Sequence, residues 1–378
     1  MSGEPVIARL ADGIASFSAE DWDRCAGTDD PFLSHAFLSA LEDSGSATAR
    51  TGWRPLPIAI DGIDSRPAAV MPAYVKSHSL GEYVFDHGWA DAYERAGGAY
   101  YPKLQIAVPF TPVPGRRLLA RDPALAPALI AAAEKIVDAN RLSSAHATFI
   151  LPGEAALFER AGWLIRTDSQ FHWLNENYAS FDDFLAGLAS RKRKAIRKER
   201  AAAQTGLEIV HLTGAAISEA HWDAFWAFYQ DTGARKWGQP YLTRAFFSLL
   251  GERLGERVLL ILALRDGVPI AGALNLIGAD ALYGRYWGCL EDVPHLHFEL
   301  CYYQAIDVAI ARGLKRVEAG AQGSHKLARG YRPVPTFSAH YLREPRLRNA
   351  IADYLAAERR AVGREIAALE EMTPFRKG

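Results

Sequence analysis

The sequence predicts a mixed α/β protein of two tandem units, each a mixed sheet flanked by helices. Three observations predict it. A chain of 378 residues exceeds one ordinary core and suits two domains. Each half reads in the same order of strand, loop, helix, strand, helix, strand, which suggests two related units. Composition also shifts sharply near residue 190: seven of the ten residues from Arg191 to Arg200 are basic, after an acidic and apolar stretch from Phe181 to Leu188. The boundary is placed just before this shift, near residue 175, giving units 1–175 and 176–378.

In the first unit, Ala68 to Lys76 reads as a strand. Leu104 to Val113 reads as a strand that ends in a proline-rich turn, followed by Pro114-Gly-Arg-Arg117. Asp122 to Asn140 has helical spacing, with Asp122 before Pro123 as a helix start prefers. Ala145 to Leu151 is a strand, Glu154 to Arg160 a short helix ending at Gly162, and Trp163 to Trp173 a closing hairpin. In the second unit, Arg191 to Gln204 is a basic helix and Trp222 to Tyr229 an aromatic one. Val258 to Arg265, the Asp266-Gly267 turn and Ile270 to Ile277 give a hairpin signal. Ala281 to Leu290 is a third strand, and Glu299 to Gly313 an amphipathic helix stopped by glycine. Lys315 to Ala319 and Thr336 to Leu342 are strands, and Arg343 to Met372 is a long closing helix.

Composition narrows the function classes. Lys plus Arg number 43 against 44 for Asp plus Glu, a balance that argues against a dedicated nucleic-acid binder. Cys25, Cys289 and Cys301 are too few and scattered for a disulfide framework or a zinc site. No signal peptide is read at the start, and the longest clean apolar run, Val258 to Leu264, is far short of the ~20 residues that span a bilayer. A cytoplasmic protein is expected, with at most peripheral contact at the inner membrane. The oligomeric state is left open.

Several residues invite chemistry. His295-Leu-His297 could ligate zinc from a strand, but here it precedes a helix, so the imidazoles would diverge and no metal is expected. His297 or Glu299 could instead line an acceptor cleft, or cap and pack the helix. Asp86-His87 could be a cleft-facing acid–base pair or a satisfied turn. Arg193, Arg197 and Arg200 share a helical face and could meet donor phosphates, a tRNA backbone or anionic lipid, or be a solvated basic face.

Four segments carry a family resemblance: Tyr83-Val-Phe-Asp-His-Gly-Trp-Ala-Asp91, Tyr101 to Pro112, Arg235-Lys-Trp-Gly-Gln-Pro-Tyr241, and Glu318-Ala-Gly-Ala-Gln-Gly-Ser-His-Lys-Leu-Ala-Arg-Gly-Tyr331. In them the chain resembles the GCN5-related N-acyltransferase (GNAT) superfamily, and within it the two-domain Fem-type peptidoglycan peptidyltransferases. It looks most like the proteobacterial "peptidoglycan biosynthesis/recognition" proteins, among which bacterial ceramide synthases also appear. The resemblance implies two GNAT-like domains and an N-acyl transfer by direct attack of a primary amine. It implies a long-chain acyl-CoA donor and a sphingoid-type lipid amine acceptor, with no permanently bound cofactor. The alternatives are aminoacyl-tRNA transfer onto a peptidoglycan precursor, with tRNA as the one nucleic-acid partner, and a non-catalytic peptidoglycan or lipid recognition module. For a lipid substrate, the closing helix with Arg359, Arg360 and Arg364 is the candidate membrane face.

The resemblance also implies site residues. Glu318 could be the base, His325 a proton relay and Lys326 an oxyanion or phosphate partner, in a glycine-bearing loop that lets backbone approach a ligand, or the segment is a helix-entry loop with solvated charges. Asp86, His87, Arg285, Trp287, His297, Glu299, Arg329 and Tyr331 become substrate contacts. The superfamily's phosphate cradle precedes a helix. In the second unit that slot, Trp287 to His297, carries the repelling Glu291 and Asp292. In the first unit it carries Gly115, Arg116 and Arg117, which suit an anion better or form a plain surface turn. Arg193 and Arg197 join the donor-phosphate candidates.

Overall fold

A computed structural model describes residues 7–236, 240–320 and 323–376. Its strands are β1 (Ala8–Leu10), β2 (Trp53–Pro55), β3 (Ile58–Asp61), β4 (Pro67–Met71), β5 (Ala73–Lys76), β6 (Lys103–Ile106), β7 (Leu119–Ala120), β8 (Ser144–Ile150), β9 (Leu164–Leu174), β10 (Glu208–Thr213), β11 (Val258–Arg265), β12 (Val268–Ile277), β13 (Ala281–Cys289), β14 (Arg316–Glu318) and β15 (Arg332–Leu342). The helices are α1 (Ala19–Ala26), α2 (His35–Asp43), α3 (His87–Arg95), α4 (Ala126–Ala139), α5 (Pro152–Arg160), α6 (Phe181–Ala186), α7 (Ser190–Gln204), α8 (Glu219–Lys236), α9 (Arg244–Leu254), α10 (Leu296–Phe298), α11 (Gln304–Ala311) and α12 (Pro345–Glu371). The protein is mixed α/β, with sheets flanked by helices.

The chain forms two compact units: Met1–Asp168 with Pro335–Gly363, and Ser169–Val334 with Arg364–Gly378. They differ from a simple split near residue 175, because β15 and most of α12 return to the first unit. Leu342, Leu347, Ile351 and Leu355 are buried there with Trp89 and Tyr100, and this apolar contact outweighs sequence order.

In the first unit, β1, β3, β4 and β7 form a four-stranded sheet in the order β1-β3-β4-β7, and a second sheet runs β15-β8-β6-β5-β2. The single strand expected over residues 68–76 is two strands in two sheets. Pro72 lies between β4 and β5, where it has no N–H to give a ladder. The strand expected to run to Val113 stops at Ile106, before Pro109, Pro112 and Pro114. The hairpin expected over residues 163–173 is one eleven-residue strand, β9. Asp122 caps the 3-10 turn Pro123–Leu125 that leads into α4, accepting from the Ala124 N–H at 2.9 Å.

In the second unit the sheet order is β10-β11-β12-β13-β14-β9, antiparallel except for the β13–β14 pair. The Asp266-Gly267 turn has positive φ at both residues (51° and 79°), the geometry that suits strand twist in a two-residue hairpin. Helix α8 lies close on this sheet because β13 has glycine at 288. A Cβ there would stand 2.2 Å from the Phe228 carbonyl oxygen. Helix α7 buries Ile196 and Ala203 and leaves most of its basic residues exposed, so the charge run is a solvated face over an apolar seam. Trp173, Phe184, Tyr303 and Val317 fill the core. Among the described residues, no helix is long and apolar enough to cross a membrane.

Candidate functional site

The second unit's one parallel strand pair creates an opening. β13 runs over nine residues but pairs with β14 only at Ala281–Tyr283 against Arg316–Glu318. Beyond Tyr283 and Glu318 the two strands part. Opposite this point the β12–β13 ladder slips: Leu274 faces Tyr286 and Asn275 faces Gly284, leaving Arg285 as an extra residue. Such bulges bend a strand and re-aim its side chains. A crevice at the carboxyl ends of parallel strands is the expected ligand position in an α/β sheet. Here a cavity of about 130 Å³ occupies it, lined by Asn275, Gly284, Arg285, Tyr286, Trp287, His297, Cys301, Tyr302, Ala319 and Gly320 among others.

The crossover from β13 to β14 supplies one wall. Between α10 and α11 it forms a π-helical turn, Glu299–Tyr303, an irregularity frequent at functional sites. Glu299 is fully buried and accepts from Arg200 (2.9 Å), Gln204 (2.8 Å) and Gln304 (2.7 Å). It therefore fixes the π-turn to α7 and is not the acceptor-cleft contact the sequence suggested. His297, Cys301 and Tyr302 face the cavity instead.

The loop after β14 closes the far end. Lys326 is buried in the 3-10 turn Ser324–Arg329, and its Nζ donates to the Gly320 carbonyl at 2.7 Å. Burial pushes its pKa down to about 8, partly offset by Cys301. His325 is exposed, with Nε2 at 2.8 Å from the Tyr302 hydroxyl. Arg329 is buried with its guanidinium 3.4 Å above the Phe298 ring. It donates to Glu199 and to the His325 carbonyl, both at 2.9 Å, so it holds the loop and does not face the cavity. Tyr331 is fully buried among the core aromatics. Glu318 is buried at the end of β14, where Oε1 accepts from Arg316 at 2.8 Å and Oε2 lies 3.7 Å from His172. Burial first, then Arg316 and Lys326, lower the His172 pKa to about 3. The segment 321–322 of this motif, and Trp237–Gln239 of the Arg235–Tyr241 motif, lie outside the described residues.

The first unit holds the same parallel arrangement, β6 beside β8 at Leu104–Ile106 against Ala145–Ala147, but the loop after β6 fills its crevice. The Gly115 N–H donates to the Phe149 carbonyl at 2.9 Å. Arg117 is 1% exposed and donates to the carbonyls of Thr148 (3.1 Å) and Val113 (3.0 Å). Glu154 accepts the backbone N–H groups of Arg117 and Leu118. Arg116 reaches the carbonyls of Cys25, Ala26 and Ala120. The loop is thus self-satisfied, which removes Gly115, Arg116 and Arg117 as a phosphate cradle. Arg197 pairs with Asp182 at 2.7 Å on the surface, and Arg193 is half-buried on the same helix.

Asp86 and His87 do not form an acid–base pair. Asp86 is buried and accepts from Lys103 (2.5 Å) and the Tyr100 hydroxyl (2.7 Å), while His87 is exposed at the start of α3. Burial alone would raise the Asp86 pKa, but Lys103 and His146 hold it well below the usual range. Lys103 also donates to Glu82 (2.7 Å) and Ser79 (2.7 Å), making a buried polar cluster that sequence reading missed. Asn275, Cys301 and Tyr302 were missed too. Asn275 had a visible signal: one amide in the otherwise apolar run Ile270 to Ile277. Among the described residues, no group of three or more His, Cys, Asp or Glu could hold a metal.

Comparison with known proteins follows this geometry. Solved structures share the fold at low identity. FemX is 12% identical, with 91% of this chain and 100% of that chain covered and a TM-score of 0.56. L-PGS from Bacillus licheniformis is 10% identical (92% and 98% covered, TM-score 0.51). The C-terminal DUF2156 domain of a putative lysylphosphatidylglycerol synthetase from Agrobacterium fabrum is 11% identical (89% and 96% covered, TM-score 0.51). No curated protein matches. The FemAB-like family model, described as peptidoglycan biosynthesis/recognition, matches residues 13–377, so the chain belongs to the FemAB-like family.

Proposed function

We propose that the protein is an N-acyltransferase that takes an aminoacyl group from an ester donor, aminoacyl-tRNA, and passes it to a primary amine on a peptidoglycan precursor. The carrying observation is the crevice where β13 and β14 part, with buried Lys326 at its end. The Lys326 Nζ holds the carbonyl of Gly320, which lines the crevice, and near neutral pH this lysine is mostly cationic, a charge suited to stabilise the oxyanion formed when an amine attacks a carbonyl bound beside Gly320. The His325–Tyr302 pair at the exposed rim receives the proton the amine loses, and as the new C–N bond forms the ester C–O bond breaks and the tRNA ribose oxygen leaves, taking up a proton in turn. Glu318 is engaged by Arg316, which makes it a support of the strand end and not the base.

Family membership favours this reading over acylation of a sphingoid base. So does size. The cavity of about 130 Å³ suits a short acyl group, and pockets for larger ligands begin near ~300 Å³.

The test is a donor–acceptor panel: alanyl-tRNA with a lysine-containing muropeptide precursor, beside palmitoyl-CoA with sphinganine. Transfer is expected in the first pair only, and Lys326→Met should lower it ~100-fold or more. Amine-dependent thiol release from palmitoyl-CoA, with no alanyl transfer, would return the long-chain reading to the front.

A further inference from the structure

We infer that Asn275 is a specificity-determining residue of the crevice, its side-chain oxygen accepting a hydrogen bond from a primary amine on the molecule bound there. The contact follows from the geometry, while the identity of that molecule rests on the transferase reading.

Asn275 lies near the end of β12 between Leu274 and Leu276 and is 1% exposed. Its Nδ2 donates to the Ala273 carbonyl at 3.3 Å, which fixes which end of the amide is oxygen. The Oδ1 atom is buried and has no hydrogen-bond partner among the described residues. Folded proteins seldom leave a buried carbonyl oxygen in that state, and a bound group is one common reason. The residue lines the cavity, so a group bound there lies beside it. Its position at the ladder slip adds to this. The facing residue is Gly284, and a Cβ there would stand 3.5 Å from Oδ1, so the residue opposite places no side chain over the oxygen.

An oxygen that can only accept selects for a donor. An alkyl chain would leave it unpaired. Lys326 does not satisfy it: among the described residues the oxygen has no hydrogen-bond partner, and the Nζ contact is with the Gly320 carbonyl. A primary amine fits, and two sources can bring one: the α-amine of an aminoacyl donor, or the attacking amine of the acceptor. Lys326 stands at the same crevice, so its charge favours the amine as free base, the form that attacks a carbonyl.

The experiment compares alaninamide with propionamide, which differ by the amine alone, by saturation-transfer NMR at pH 8.5. Wild type should bind alaninamide about tenfold more tightly, the size of one hydrogen bond to a polar partner. Asn275→Leu and Asn275→Ala should erase the preference and Asn275→Asp should keep it, with thermal unfolding checking that each variant folds. Equal binding of the two amides by wild type, or a preference that survives both Asn275→Leu and Asn275→Ala, overturns the inference.

Turnover then separates the sources. If Asn275→Ala removes discrimination between alanyl-tRNA and propionyl-tRNA, the amine belongs to the donor. If it raises only the acceptor KM, the amine belongs to the acceptor. If alaninamide binding requires Asn275 but neither donor of the earlier panel is turned over, the amine site stands and the transferase reading falls.

Discussion

Three buried lysines show how partners decide what burial does. Among the described residues Lys326 has no carboxylate in contact, so desolvation dominates and its pKa falls to about 8. Burial also pulls Lys76 down, to about 7, because the opposing pull of Glu82, 3.8 Å away, only partly offsets it and Lys103 lowers it further. Lys103 is equally buried, yet Glu82 and Asp86 outweigh desolvation and raise it. A lysine held charged by two carboxylates is structural; one left with only a carbonyl is free to act on a substrate. The histidines of the first unit make a testable case. His146 and His340 face each other across β8 and β15 with their Nδ1 atoms 2.8 Å apart. That bond needs one nitrogen protonated and the other bare, so the accepting ring must be neutral and at most one of the two can carry a charge. Burial lowers the His146 pKa to about 3 and holds His340 well below its ordinary value. Unfolded histidine binds its proton near pH ~6.5, so the unfolded state takes up protons first as pH falls. The stability the pair contributes is therefore intact above that pH and lost progressively toward pH 3. Urea midpoints between pH 7 and 4 should fall less steeply for a His146→Leu/His340→Leu variant than for wild type. An unchanged slope would assign the acid sensitivity elsewhere.

Among the elements, the contact of α8 with β13 is the most demanding on sequence. A side chain at residue 288 would meet the Phe228 backbone, which cannot rotate away as a side chain can. Gly288→Val is expected to push α8 off the sheet beside the crevice and lower stability by ~2 kcal/mol or more. A thermal midpoint within a degree of wild type would show that the helix yields freely. The elements also show what the sequence made legible. The Asp-Gly hairpin, α4 with the capped 3-10 turn before it, and the basic α7 stand close to their expected bounds, because local chemistry dictates each. Strand β9 read as a hairpin because its polar middle, Arg166 to Gln170, resembles a turn. α9 went unread, and so did the short strands β1–β3, whose three or four residues carry too little periodicity to register. The loop Glu318 to Tyr331 stood out through its glycines, and the structure places Lys326 and His325 beside the crevice. Arg116 and Arg117 were misjudged for a physical reason: a basic pair in a glycine–proline turn looks solvated in one dimension, and only the fold reveals the carbonyls that consume its donors.

At the scale of the whole molecule, the sequence echo between halves corresponds to a shared device: two parallel strands joined through a helix, one pair in each unit. The copies have diverged at the point where the strands end. In the second unit a bulge and two glycines, Gly284 and Gly320, keep the crevice open. In the first, residues 107–118 fold back into it and Glu154 ties down their backbone. That filled crevice has a countable consequence. A chain with two equivalent openings would take up two donor molecules, whereas this one should titrate with a single equivalent. Calorimetry with a non-hydrolysable aminoacyl-RNA analogue should saturate at one per chain, and Asn275→Leu together with Lys326→Met should abolish the heat entirely, leaving no second, weaker isotherm beneath it.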